Sequence, residues 1–291
     1  AVLEIASACG VPEENVVAEP ERRDTAPAIA FAIGWVASKN PNAVMAVLSS
    51  DQRIGDIAEF QSVLQTAVTA AASEEAVVTL GVKPTWACPG YGYIQVGEPL
   101  SAPNDGVREV IRFREKPSPE VAEQFLAEGN FVWNAGSFFF AIPNACKELA
   151  QHAPELAAFI DKTAAADNPL DVLASDFADL PKISIDFALM EKASRVLNVE
   201  ATFDWDDVGS WISVANYLDE DADKNRSNIP VTTIDAQNNI VFSENADPTN
   251  ISLLGVDDLI VVRTGDALLV ANRHQADSIK QLIDKLPEDL H

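Results

Sequence analysis

The chain has 291 residues, 47% of them hydrophobic, enough for one large and one small domain with a buried core. Its 45 acidic residues against 20 basic ones leave a net charge of −25, which repels nucleic acid and anionic lipid, and also phosphorylated substrates unless a bound cation or a local basic pocket intervenes. Cys9, Cys88 and Cys146 are far apart and odd in number, so neither a disulfide framework nor a thiolate metal site is expected, and a reducing cytoplasm is the simplest setting. No apolar run reaches the ~20 residues needed to span a bilayer.

Residues 1–9 suggest a helix closed by Gly10 and Pro12, with no initiator Met and no basic-then-apolar leader pattern. "ENVVAEP" (14–20) is expected to be a short strand. "DTAPAIAFAIGWVASKN" (24–40) predicts a helix with Asp24 or Thr25 as N-cap and Ala28, Phe31, Ala32 and Trp35 on one face. "AVMAVLSSD" (43–51) has the continuous apolar character of a parallel strand buried on both faces. A helix over 56–71 and a strand over 76–82 follow. This alternation predicts an α/β fold, a Rossmann-like sheet with helices on both faces.

From Tyr91 the texture changes. "YGYIQVGEPL" and "VREVIRFREKP" alternate as a hairpin does, with "PNDG" (103–106) as its turn. A helix over 118–128 should stop at Gly129, and "FVWNAGSFFFAI" (131–142) should form a strand. Residues 144–192 are expected to be mainly helical, and "SWISVANYLDED" (210–221) a further helix. The acidic, polar "DEDADKNRSN" (219–228) suggests a linker. Beyond it, short strands at regular spacing and a final helix over 275–286 predict a small β-rich domain. The expected division is 1–222 and 228–291.

Ligands of open α/β sheets bind beyond the carboxyl ends of strands. Asp51 closes one strand, and Asp206 and Asp207 close another. Each can simply form a turn or cap a helix. Two carboxylates brought together from distant strands would instead supply the hard oxygen ligands that Mg²⁺ takes, and the metal would offset the acidic surface. Glu115 and Lys116 end a strand at Pro117; they are either an exposed ion pair or aimed into a cleft. Asn134 lies in an apolar strand, so its amide needs hydrogen bonds from the core or from a ligand. Gly90, Gly92 and Gly97 permit close backbone approach, or mark a bulged hairpin. His152, His274 and His291 suggest no Ser–His–Asp arrangement.

Taken in order, "AEPERRDTAPAIA", "VLSSDQRI", "GYGYI", "FREKP", "FVWNAGSFFF", "SIDFALMEK" and "WDDVGSW" resemble the bacterial mannose-1-phosphate guanylyltransferases of the nucleotide-sugar transferase family, and "GVDDLIVVRTGDALLV" resembles that family's C-terminal module. The resemblance implies transfer of a guanylyl group from GTP to mannose 1-phosphate, giving GDP-mannose and pyrophosphate in the cytoplasm, with no nucleic acid or membrane partner and with a homodimer admitted. It implies Mg²⁺ on Asp51 and Asp207. It places Gly92, Glu115, Asn134 and Asp186 on the mannosyl hydroxyls, Lys116 on a phosphate, and Arg23, Thr25 and Ala26 near the guanine. The strands ending at Lys116 and carrying Asn134 would then be two walls of one pocket.

Two departures qualify the resemblance. No stretch of the form GG-x-G-x-R, the family's phosphate-gripping loop, occurs in the 291 residues; with a start in mid-helix, truncation or omission of a preceding segment is the expected cause. "SSDQ" and "TWACPGYGYI" also differ from the family's usual wording. A sugar-phosphate-binding homologue without turnover, and a pyrophosphorylase for another hexose 1-phosphate, stay open as alternatives.

Overall fold

A computed structural model describes residues 2–101, 106–244, 250–283 and 285–287. The chain divides into two compact units, Ala1–Ser50 with Ile54–Trp205, and Asp51–Arg53 with Asp206–His291. The boundary expected at 222–228 therefore falls inside the second unit.

In chain order the first part contains α1 (Val2–Ala8), α2 (Thr25–Lys39), β1 (Val44–Val47), β2 (Arg53–Ile54), α3 (Ile57–Ser73), β3 (Val77–Val82), β4 (Tyr93–Pro99), β5 (Val107–Arg114), α4 (Pro119–Glu128) and β6 (Phe131–Ala141). Then come α5 (Ile142–His152), α6 (Pro154–Ala165), α7 (Pro169–Asp176), a π-helical turn (Asp186–Met190), β7 (Val196–Ala201) and β8 (Trp205–Asp206). The helix ends follow local chemistry. Asp24 caps α2, its carboxylate accepting from the Thr25 N–H, and α4 starts with Pro119 and ends at Gly129 in the left-handed region.

The main sheet runs β1-β6-β3-β7-β5-β4, and β4 also pairs with β6. It is mixed: among the described strands only β3 and β7 run parallel in it, whereas β6 runs antiparallel to β1, β3 and β4. Side-chain alternation along β6 feeds both faces. Phe138 and Phe140 join Ile29, Ile33, Leu149 and Ile160 of α2, α5 and α6, while Phe139 joins Val63 and Ala67 of α3. Each of these phenylalanines is at most 4% exposed, and burying such a ring stabilises by roughly 1.5–3 kcal/mol. Gly34 lets α2 and α6 meet, since a Cβ there would stand 2.6 Å from Thr163 Cβ.

The second unit holds α8 (Trp211–Val214), β9 (Asp219–Glu220), β10 (Arg226–Ser227), β11 (Val231–Ile234), β12 (Ile240–Ser243), β13 (Ile251–Leu254), β14 (Leu259–Arg263), β15 (Leu268–Asn272) and α9 (Lys280–Ile283). Here β10, β12 and β14 stack in parallel, as do β11 and β13. Buried Asn239 ties successive turns, its amide donating to Asn225 Oδ1 and Val256 O while its Oδ1 accepts from the Leu259 N–H.

Several expectations change. "ENVVAEP" forms a 3₁₀ turn (Glu13–Asn15) and irregular chain, because no described strand lies beside it to pair with. β1 is a part-exposed edge strand antiparallel to β6, not a doubly buried parallel one. The acidic "linker" carries β9 and β10, with Asp221 accepting from the N–H groups of Asp223 and Asn225 to close a tight turn. The helices expected over 210–221 and 275–286 shorten to α8 with a 3₁₀ turn (Ala215–Tyr217), and to a 3₁₀ segment (Arg273–Ser278) with α9. Residues 103–105 of the expected "PNDG" turn lie outside the described residues, although β4 and β5 pair as the hairpin requires.

Candidate functional site

The first unit gathers its polar groups around an irregularity in β6. Thr79 and Gly81 of β3 are two residues apart, but their partners Phe138 and Asn134 are four apart, so β6 carries two extra residues as a bulge. Gly136 sits in the bulge at φ 67°, a conformation that costs a side chain roughly 1–2 kcal/mol. The bend brings the Gly136 N–H to Asn134 Oδ1 at 3.1 Å, and the Thr79 hydroxyl reaches the same oxygen at 3.0 Å. The Gly136 N–H can only donate and so assigns the amide orientation, while the single Thr79 hydroxyl proton is shared between Asn134 Oδ1 and Ser137 O at 3.1 Å. Asn134 Nδ2 therefore faces Asp186 and donates to its Oδ1 at 3.2 Å.

Gly92 precedes β4 and accepts the Asn134 N–H on its carbonyl at 2.8 Å. A Cβ on Gly92 would stand 2.6 Å from Glu115 Oε2 and 3.3 Å from Asn134 Cβ, so glycine there keeps the two side chains within reach of one another. Lys116 adopts φ 40° just past β5, and its Nζ lies 3.2 Å from Glu115 Oε1. The Lys116 side chain is 67% exposed while that of Glu115 is 16% exposed, so the ammonium is open to solvent and the carboxylate is enclosed.

Asp186 opens the π-helical turn, a local geometry that recurs at functional positions. Its carboxyl is pushed up to about 6, first by burial and then by the negative charge of Glu115; Asp24 adds to this, and its backbone hydrogen bond and Lys116 oppose it. Gly92, Glu115, Asn134 and Asp186 thus meet in one cluster, with Lys116 at its rim. The segment before Asp186 is anchored by α2: the Ile185 N–H donates to Thr25 Oγ1 at 2.8 Å, and the Ala26 N–H donates to Ile183 O at 3.1 Å. Ala26 is fully buried, and Thr25 and Ala26 together brace the segment that leads to Asp186. Arg23 lies beside them, its Nη1 donating to Leu180 O at 3.4 Å and its Nη2 pairing with Glu21 at 3.0 Å. Sequence reasoning missed Thr79 and the Asp24 charge; a hydroxyl inside the apolar run "AVVTLGV" was the available signal for the first.

The metal candidates lie elsewhere. β2 pairs with β8, and the N–H groups of Gly55 and Asp56, after β2, donate to Asp204 before β8 at 2.9 and 2.7 Å. The ribbon is therefore antiparallel, and Asp51, before β2, comes to the same end of it as Asp207, after β8. Both belong to the second compact unit. The neighbouring Asp206 is structural: it accepts from the Val208 N–H at 2.8 Å, from the Ser213 hydroxyl, and from Tyr217 OH at 2.9 Å. Ser210, not either aspartate, is the N-cap of α8. Asp207 Oδ1 accepts the Gly209 N–H at 3.2 Å. Among the described residues no group of three or more His, Cys, Asp or Glu is placed to hold a metal. Two carboxylates can take part in holding a divalent cation whose other positions are filled by water and substrate phosphate.

Residues 3–224 match the family model described as Nucleotidyl transferase. The chain belongs to the nucleotidyl transferase family. Nucleotidyl transferases of this kind generally use a divalent metal. Residues 230–286 match the MannoseP isomerase/GMP-like beta-helix domain, in keeping with the stacked parallel strands there. The mannose-1-phosphate guanylyltransferase of Sinorhizobium fredii (strain NBRC 101917 / NGR234) is 36% identical, over 99% of this chain and 56% of its own length. That of Escherichia coli (strain K12) is 33% identical, over 95% of this chain and 58% of its own. The chain thus spans little more than half the length of these curated relatives. Its fold is similar to a crystal structure from Thermus thermophilus titled mannose-1-phosphate geranyltransferase, with a TM-score of 0.83, 31% identity, and coverage of 97% of this chain and 81% of that one. Among the described residues, no helix of this nucleotidyl transferase is long and apolar enough to cross a membrane.

Proposed function

We propose that the chain provides the sugar-phosphate pocket and the metal carboxylates of a mannose-1-phosphate guanylyltransferase, which converts GTP and mannose 1-phosphate into GDP-mannose and pyrophosphate. The observation carrying this reading is the meeting of Gly92, Glu115, Asn134 and Asp186 around the β6 bulge, in a family whose relatives bear that activity in their names.

Glu115 and Asp186 carboxylates accept hydrogen bonds from sugar hydroxyls, and Asn134 Nδ2 donates to a hydroxyl oxygen. Gly92 leaves room for the ring to approach the backbone. Lys116, exposed at the rim, meets the phosphate of the sugar phosphate and keeps it oriented toward the nucleotide. Arg23 lies on the nucleotide side, held by Glu21 and Leu180. Asp51 and Asp207 hold Mg²⁺, which when bound offsets charge that develops on the phosphates during transfer. In this reading a phosphate oxygen of the sugar phosphate attacks the α-phosphorus of GTP, the bond from that phosphorus to the β-phosphate oxygen breaks, and pyrophosphate leaves. The enzyme's task is placement and electrostatic stabilisation.

Incubation with GTP, mannose 1-phosphate and Mg²⁺, followed by measurement of pyrophosphate release, tests the whole reaction. Competition between mannose 1-phosphate and glucose 1-phosphate for the pocket tests the sugar. The reading predicts that mannose 1-phosphate binds at least ~10-fold more tightly, because a site built on directed hydrogen bonds penalises a misplaced hydroxyl. Preference for glucose 1-phosphate would reassign the substrate.

A further inference from the structure

We infer that Thr79 is a positioning residue that sets the hydrogen-bonding polarity of the sugar pocket, by holding the Asn134 amide with its oxygen inward and its N–H donors toward Asp186 and the ligand. The inference rests on the sugar-pocket reading for its ligand but on the protein geometry alone for the clamp. Thr79 is fully buried in β3. Its hydroxyl lies 3.0 Å from Asn134 Oδ1 and 3.1 Å from Ser137 O, and the Gly136 N–H occupies the other side of Oδ1 at 3.1 Å. The bulge supplies a full donor in the Gly136 N–H, and β3 supplies a hydroxyl proton shared between Asn134 Oδ1 and Ser137 O.

The polarity matters because of what surrounds the amide. Asp186 lies 3.2 Å from Asn134 Nδ2, and the charged groups acting on Asp186 are Glu115, Lys116 and Asp24. Two of the pocket's side chains, Glu115 and Asp186, are thus acceptors when ionised. With the amide as assigned, the pocket offers acceptors and a donor, the pattern that neighbouring sugar hydroxyls satisfy by donating to one group and accepting from the next. With the amide turned over, Oδ1 would face the Asp186 carboxylate, three acceptors would crowd together, and a hydroxyl oxygen in the pocket would lose its donor. The Gly136 N–H would then meet an NH₂ group and be left unsatisfied, and the Thr79 hydroxyl would give its proton wholly to Ser137 O.

Thr79→Val keeps the side chain's shape and removes the hydroxyl, whereas Thr79→Ser keeps the hydroxyl. Two readouts are taken on the 291-residue chain: the Asp186 carboxyl titration, followed by ¹³C NMR without ligand, and the affinities for mannose 1-phosphate and GTP. Thr79→Val is expected to move the Asp186 midpoint upward and to weaken mannose 1-phosphate ~10-fold or more, leaving GTP unchanged. Thr79→Ser is expected to retain both wild-type values. Nuclear Overhauser contacts of the Asn134 amide protons in the unsubstituted protein give an answer that no variant's folding can obscure: they should lie on the Asp186 side. Amide protons facing Thr79, equal loss in the Val and Ser variants, or a Val variant with both readouts unmoved would overturn the assignment. If the titration responds as expected while the unsubstituted chain fails to bind mannose 1-phosphate, the clamp stands and the substrate reading falls.

Discussion

Asp186 has a cost in the absence of ligand. Its carboxyl titrates at about 6 in the folded chain, raised first by burial and then by Glu115, against an ordinary value of ~3.9 in an unfolded one. Between these values the native state binds more protons than the unfolded state, so stability conferred at low pH falls as pH rises through ~4 to 6. Asp186→Asn should therefore raise the thermal midpoint at pH 7.5, by on the order of 1–3 kcal/mol in stability, and should change it little at pH 4. The same substitution should weaken mannose 1-phosphate; calorimetric scans at the two pH values, paired with ligand titration, check both signs. A destabilised variant at pH 7.5 would show that the carboxylate is held by partners instead of being strained by its surroundings. Glu115 and Asn134 stand out in the sequence as a charged group near Pro117 and an amide beside Gly136 in an apolar strand, whereas Asp186 is expected only through the family resemblance. Thr79 does not stand out, because threonine is an ordinary strand former and only the bulge turns its hydroxyl into a clamp. The hydrogen bonds of Thr25 and Ala26 to residues 183–185 were likewise hidden, because sequence order alone does not bring these segments together.

Among the elements, β6 does the most to build the pocket. Gly136→Ala places a Cβ at φ 67° and should lower stability by ~1–2 kcal/mol. It should also weaken mannose 1-phosphate, because strain relieved by straightening the bulge withdraws the N–H from Asn134 Oδ1. Normal stability with normal binding would show that the bulge tolerates any residue. At the β2–β8 ribbon two adjacent aspartates should separate cleanly. Asp206→Ala removes the acceptor for Val208, Ser213 and Tyr217 and should lower stability by ~1–3 kcal/mol. Asp207→Asn should leave the thermal midpoint nearly unchanged while abolishing the Mg²⁺ dependence of ligand binding; thermal scans with and without Mg²⁺ distinguish them. The hairpin β4–β5, helix α4 and strand β6 were readable from alternation, Pro119 and Gly129. The sense of β1 was not, because an apolar run of that length fits an edge or a buried strand equally, and only the pairing to β6 decides. The polar stretch over 219–228 concealed β9 and β10 because their two-residue ladders leave no period to detect.

For the molecule as a whole, a net charge of −25 and a phosphorylated ligand must be reconciled. In this account Lys116 and a divalent cation on Asp51 and Asp207 do so locally, while the general field stays repulsive and salt-sensitive. The α/β class and the β-rich second part were visible in composition and strand spacing, whereas the compact units trade Asp51–Arg53 across the chain in a way that only contacts between distant segments define. Whether the cluster at Asn134 receives the sugar of mannose 1-phosphate is decided by calorimetric titration of that ligand into the unsubstituted chain and into Asn134→Ala. Saturable binding to the first and at least ~10-fold weaker binding to the second are expected, with GTP affinity equal in both. Absence of saturable binding to the unsubstituted chain, or equal affinity of the two proteins for mannose 1-phosphate, would contradict the sugar-pocket reading.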